Sequence, residues 1–198
     1  MKKIMMLFVL TSLVACGNSN QQVAVQGFDA TGFEMEAVAN SNLQRALKKD
    51  ASGKVLEEGY LNNGAKTGAW VTYDESTPFP RKVETFDNGV YTGVYMEFNE
   101  RGQLELLANY QNNKLNGTWG KYSFGRPQEE ASYKNGKLDG TYNKYFERDG
   151  KLQTSIEYKD GVQDGYYRFY DDSGNVKLEY LYKNGEKVEG GIKSAPTE

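Results

Sequence analysis

The sequence predicts an all-β protein, a meander of antiparallel hairpins in which stacked neighbours cover one another. Three observations carry that prediction. A pattern of about 24 residues recurs six times along the chain. Its apolar positions alternate with period two, as in half-buried strands. Its punctuation is Asn-Gly and Asp-Gly, the dipeptides that tolerate positive φ in hairpin turns.

The clearest copy opens at Gly150: counting from it, Tyr158 falls at +8, Gly161 at +11, Gly165 at +15, and Tyr167 and Tyr170 at +17 and +20. The same frame runs from Gly53 (Gly64, Gly68, Trp70, Tyr73), from Gly102 (Tyr110, Gly117, Trp119, Tyr122) and from Gly125 (Tyr133, Gly136, Gly140, Tyr142, Tyr145). Pro78 opens a copy with Phe86, Gly89, Gly93, Tyr95 and Phe98, and Gly174 opens a last one that stops after Tyr182 and Gly185.

Each copy supplies two strands. In Lys151 to Tyr158, Leu152, Thr154, Ile156 and Tyr158 alternate with Gln153, Ser155 and Glu157, and the copy at Gly174 alternates in the same way. The second strand is Gly-x-aromatic-x-x-aromatic; its two aromatics are three apart, so a regular strand sends them to opposite faces unless a bulge intervenes. Asn88-Gly89, Asn135-Gly136, Asp160-Gly161 and Asn184-Gly185 read as turns, and Asn113 replaces the turn glycine of one copy. These glycines are turn residues, not a phosphate-binding loop.

Only residues 34–50 are ambiguous. Phe33, Met35 and Ala37 alternate as a strand would, Asn40-Ser41-Asn42 reads as a turn, and Leu43 to Lys49 as a second strand. Met35, Val38, Leu43 and Ala46 would also suit one face of a helix, but three turn-formers interrupt it, so two capping strands are the preferred reading.

The N-terminus carries an address. Lys2 and Lys3 precede an apolar region, Ile4 to Leu10 with Leu13-Val14, too short to span a bilayer, which needs about 20 residues. Leu13-Val14-Ala15-Cys16 looks like a bacterial lipobox, in which Cys16 becomes the lipidated first residue of the mature protein. The expected organisation is a signal peptide over 1–15, the lipidated Cys16 and a flexible tether over 16–26, a capping segment over 27–47, the repeat array over 48–190 and a disordered tail over 191–198. Gly17 to Asn20 bears no charge that would sort the protein elsewhere, so the expected location is the outer membrane, facing the periplasm.

Composition removes most chemistry. Cys16 is the only cysteine and histidine is absent, so thiol catalysis, histidine triads and Cys/His zinc sites are excluded. Without Lys2 and Lys3 the chain has 22 basic against 27 acidic residues and no basic stripe, which argues against nucleic acid as a partner. The adjacent acids Glu57-Glu58, Glu129-Glu130 and Asp171-Asp172 point to opposite faces if they lie in strands, so none is a ready acid–base pair. Asp171 to Asn175 is oxygen-rich but lacks the alternating ligands and closing Glu of a calcium loop. No catalytic residue and no cofactor is expected.

The run Tyr133-Lys-Asn-Gly-Lys-Leu-Asp-Gly-Thr-Tyr-Asn-Lys-Tyr145 resembles the bacterial variant of the MORN repeat, Y-x-N-G-x-x-x-G-x-W-x-x-Y/F, and the resemblance covers about residues 48–190. It implies an elongated, twisted, mostly single-layer antiparallel sheet, and no catalytic residues. Similar bacterial proteins are often labelled a YwqK-like antitoxin family, yet an antitoxin against a cytosolic toxin should not carry an export signal and a lipobox. Pro78-Phe79-Pro80, Asn113 and the truncated sixth copy depart from the pattern in single turns only.

The function expected from these features is a lipid-anchored, non-catalytic interaction module, attached to the membrane through its N-terminal lipid and presenting its repeats to a protein or glycan. A periplasmic immunity-type inhibitor of a toxin and an architectural spacer are the alternatives. Recurring aromatics such as Trp70, Tyr95, Trp119, Tyr142 and Tyr167 are expected to be scaffold. Phe124, Phe146, Tyr166 and Phe169 fill slots where other copies carry unrelated residues, so they are the candidate binding residues, expected to form one apolar patch.

Overall fold

The computed structural model describes residues 27–193; the expected signal peptide, Cys16 and the expected tether lie outside them, as do the last five residues. The described chain is one antiparallel sheet of fourteen strands whose order in space is their order in sequence. The first seven are β1 (Glu34–Ala37), β2 (Leu43–Lys49), β3 (Val55–Asn62), β4 (Ala65–Tyr73), β5 (Pro80–Asp87), β6 (Val90–Phe98) and β7 (Leu104–Gln111). The rest are β8 (Lys114–Ser123), β9 (Arg126–Lys134), β10 (Lys137–Tyr145), β11 (Leu152–Lys159), β12 (Val162–Tyr170), β13 (Val176–Lys183) and β14 (Glu186–Ile192). Fourteen strands side by side span roughly 60 Å, about twice the length of the longest of them. The sheet stays open, with contacts concentrated between adjacent strands.

Residues 34–50 form β1 and β2 rather than a helix, with Asn40 at φ 56° in the turn between them. At the other end β14 runs to Ile192, so Gly191 and Ile192 belong to the sheet and not to a disordered tail. Pairing with β13 outweighs their lack of apolar pattern, because each backbone group in a ladder finds its partner regardless of side chain.

The turn glycines do more than turn. The Gly89 N–H donates to the Lys66 carbonyl at 2.7 Å, and Gly136, Gly161 and Gly185 donate to Leu115, Leu138 and Gln163 of the preceding hairpins. Asn113 makes the same bond to Tyr91, and its side-chain oxygen also accepts the Tyr91 N–H at 2.8 Å. The glycine at +15 marks a bulge: Leu138 pairs with Tyr133 and Tyr142 with Ala131, four steps on β10 against two on β9. At Gly165, which has φ 121°, a Cβ would lie 2.2 Å from Glu157 Oε2, so only glycine fits there.

Candidate functional site: the two faces of the sheet

Cross-strand pairs place the aromatics. Tyr95 pairs with Glu84 and Ala108, Trp119 with Ala108 and Ala131, Tyr142 with Ala131 and Ile156, and Tyr167 with Ile156 and Tyr180. Each aromatic at +17 therefore stands between the +6 residues of two neighbouring strands, and both tryptophans adjoin a small one. Tyr110, Tyr133, Tyr158 and Tyr182 lie two residues beyond the +6 position and so join the same face. Ring centroids are 6.1 Å apart for Tyr95–Tyr110, 6.5 Å for Trp119–Tyr133 and 6.0 Å for Tyr167–Tyr180, a ladder of edge and tilted contacts. The +20 aromatics sit on the reverse face: Tyr73 reaches Glu58, and Tyr122 and Tyr145 both reach Glu130.

Among the described residues the ladder is closed at one end only. Ala46 of β2 faces Gly59 where later strands carry a large ring, and the chain fills that gap from outside the sheet. Phe28 and Phe33 stack on each other at 4.9 Å and on Trp70 at 5.1 and 6.1 Å. Lys66 Nζ lies 4.1 Å from the Trp70 ring and 3.5 Å from Glu57 Oε1, so the cation is both stacked and neutralised. Trp70 is consequently 1 % exposed and anchors the buried cluster of Ala46, Leu61, Trp70 and Phe86. Tyr95, Trp119, Tyr142 and Tyr167 are only half-buried. Among the five recurring aromatics expected to be scaffold, only Trp70 is fully buried, because a single-layer sheet has no second layer to cover the others.

Carboxylates on both faces are engaged. Glu84 is buried, accepts from Tyr91 Oη and pairs with Lys82 Nζ at 2.9 Å. Glu129 accepts from Tyr142 Oη at 2.8 Å on the ladder face, while Glu130 accepts from Tyr145 Oη at 2.6 Å on the reverse. Glu57 and Glu58 divide between the faces in the same way, Glu58 taking Arg45 Nη2 at 2.6 Å and Tyr73 Oη at 2.7 Å. Burial, with the bonded carboxylate adding to it, raises the pKa values of Tyr91, Tyr95 and Tyr142, and pushes that of Tyr145 up to about 12. These phenols remain protonated donors at neutral pH. Asp171 Oδ1 accepts from the N–H groups of Ser173 and Asn175 and Oδ2 meets Lys177, which turns the oxygen-rich loop into a capped turn.

The four candidate binding residues do not form one patch. Tyr166 pairs with Leu181 on the reverse face under the Arg168 guanidinium, 4.1 Å from its ring. Phe169 lies on the ladder face between Thr154 and Leu178, because residues three apart in a regular strand point oppositely. Phe146 sits half-buried in the β10–β11 turn, its N–H bonded to the Lys151 carbonyl at 2.8 Å. Phe124, 73 % exposed, occupies with φ 50° the first position of the two-residue turn before Gly125. Shallow grooves flank it, one lined by Arg126, Gln128 and Glu147, the other by Arg81, Arg101 and Glu105.

A bulky side chain at that φ is strained, and Asn holds the corresponding conformation in the turns at 63, 88, 135 and 184. Phe124→Asn should therefore stabilise the protein by about 1 kcal/mol in urea unfolding. A loss of stability would mean that the ring packs more than its exposure implies.

The residues that sequence reasoning missed are Phe28, Phe33 and the small +6 residues Gly59, Ala108 and Ala131. The last three were findable: the +6 position is small in three of the six copies. Residues 91–112 and 163–184 match a family model described as MORN repeat variant. No curated protein matches the chain. Repeats of this kind are generally protein- or membrane-binding modules and are not enzymatic.

Proposed function

We propose that this protein is a lipid-anchored, non-catalytic module of a bacterial envelope whose ladder face binds an extended polypeptide of a partner. One observation supports the reading above others. The aromatic ladder continues from Tyr95 to Tyr182 without a covering layer among the described residues, and where it is covered, the cover is a polypeptide carrying Phe28 and Phe33. Half-exposed rings offer area at low entropic cost, and their hydroxyls add directional bonds. The lipobox-like Leu13 to Cys16 supports attachment through Cys16, with periplasm-facing outer membrane as the proposed site.

Two measurements test this. Cys16→Ser should move the protein into the soluble fraction or stall its processing; unchanged detergent-dependent membrane association would sink the anchor. Intact protein used as bait on crosslinked envelopes should capture a protein partner, and Trp119→Ala with Tyr142→Ala should abolish capture while Phe124→Asn preserves it. Capture that survives protease treatment of the envelopes would replace the polypeptide with a glycan. Loss at Phe124 alone would move the contact away from the ladder.

A further inference from the structure

We propose that the C-terminal edge strand β14 pairs with β14 of a second copy, joining two sheets into one around a two-fold axis at Gly191. The two edges of the sheet differ. β1 is four residues long, and its acids Glu34 and Glu36 face Lys49 and Arg45. Self-pairing of β1 would set Glu34 against Glu36, and like charges directly opposite are destabilising. Strand β14 is seven residues long and exposes Val188 (56 %) and Ile192 (82 %) with no strand on its outer side among the described residues. An unprotected edge of that length is a template for pairing.

The backbone fixes which residues can pair. The Lys193 N–H donates to the Lys177 carbonyl at 2.8 Å, so Lys193, and by alternation Gly191, turn their backbone groups toward β13. Gly190 and Ile192 therefore point theirs outward. An antiparallel copy centred on Gly191 sets Gly190 opposite the partner's Ile192, and each can exchange both backbone hydrogen bonds with the other.

The side chains agree with this register. Ile192 pairs with Leu178 and Leu178 with Phe169, so Ile192 ends an apolar row on the ladder face. Gly190 pairs with Tyr180, the position that a ring takes in every complete repeat, so the partner's Ile192 would extend the row beside an empty slot. Glu189 pairs with Leu181 and Lys193 meets Glu179 at 2.9 Å, which places both on the reverse face. The register sets Glu189 opposite the partner's Lys193 twice, once on each side of the axis. Faces, hydrogen bonds and charges select one alignment.

Gly191 faces itself across the axis in a non-hydrogen-bonded pair, where Cα atoms approach to about 4.5 Å. A Cβ added at Gly191 meets nothing within 4 Å, and a disulfide fits that separation. In the full chain in detergent, with Cys16→Ser removing the native thiol, Gly191→Cys should oxidise to a covalent dimer. Ile192→Cys should not, since it sits opposite Gly190 and its own counterpart lies about 7–8 Å away. Dimers forming equally at both positions, or at neither, would overturn the proposal.

Charge exchange gives a second readout. Glu189→Lys alone and Lys193→Glu alone each set like charges opposite twice, and each should weaken dimerisation at least about tenfold in sedimentation equilibrium. Mixing the two variants restores both attractive pairs and should recover heterodimer. Circular dichroism confirms that each variant is folded; failure of the mixture to recover dimer would sink the register.

Discussion

Trp70→Ala should destabilise the protein by about 3–5 kcal/mol, and Trp119→Ala by clearly less, although both residues occupy the same position of the repeat. The first ring is enclosed by Phe28, Phe33, Phe86 and the Lys66 side chain; the second has an open face. Only an enclosed ring leaves a cavity when it is removed, and the cavity supplies much of the cost. Gly59→Ala should approach the effect of Trp70→Ala without touching the tryptophan, because its Cβ would sit 2.2 Å from the ring. The indole would have to leave its place and give up its Nε1–H bond to the Tyr60 carbonyl at 3.1 Å. Urea unfolding of the three variants checks the order. Equal losses for the two tryptophans would mean that the ladder face is covered along its whole length.

The contrast shows what was legible in the sequence. Strands and tight turns were, because each is written locally: period two in Leu152 to Tyr158, positive φ at Asn135-Gly136. The serial order of the strands followed from the repeat itself. Burial was not legible, since it depends on what lies above a strand. Trp70 and Trp119 share a local pattern, and the covering that sets Trp70 apart includes Phe28 and Phe33, which lie outside any repeat. The candidate patch failed for a geometric reason. Position in the frame says that Tyr166 and Phe169 are not demanded by the repeat, but strand alternation sends one to each face. The strain at Phe124 was equally hidden, because Phe-Gly carries no turn signal of its own.

Removing Gly125 to Asp149 should leave a folded protein shorter by one hairpin, since the strands pair only with their neighbours in sequence. The deletion keeps register. Tyr122 pairs with Pro127 and Lys121 with Glu129, while Tyr145 pairs with Leu152 and Lys144 with Thr154, so β11 can replace β9 beside β8. Two strands of fourteen are lost, and the urea m-value should fall by about a seventh. One contact worsens: Trp119, which stands beside Ala131, would stand beside Ile156, a residue that normally adjoins the narrower rings of Tyr142 and Tyr167. Ile156→Ala should therefore destabilise the intact chain, through lost apolar contact, by about 1–2 kcal/mol, and stabilise the deletion variant, through relief of overpacking. A reversal of sign between the two backgrounds is the expected result. The same sign in both would show that the small residues beside the tryptophans are incidental, and a disordered chain after deletion would show that distant strands support one another.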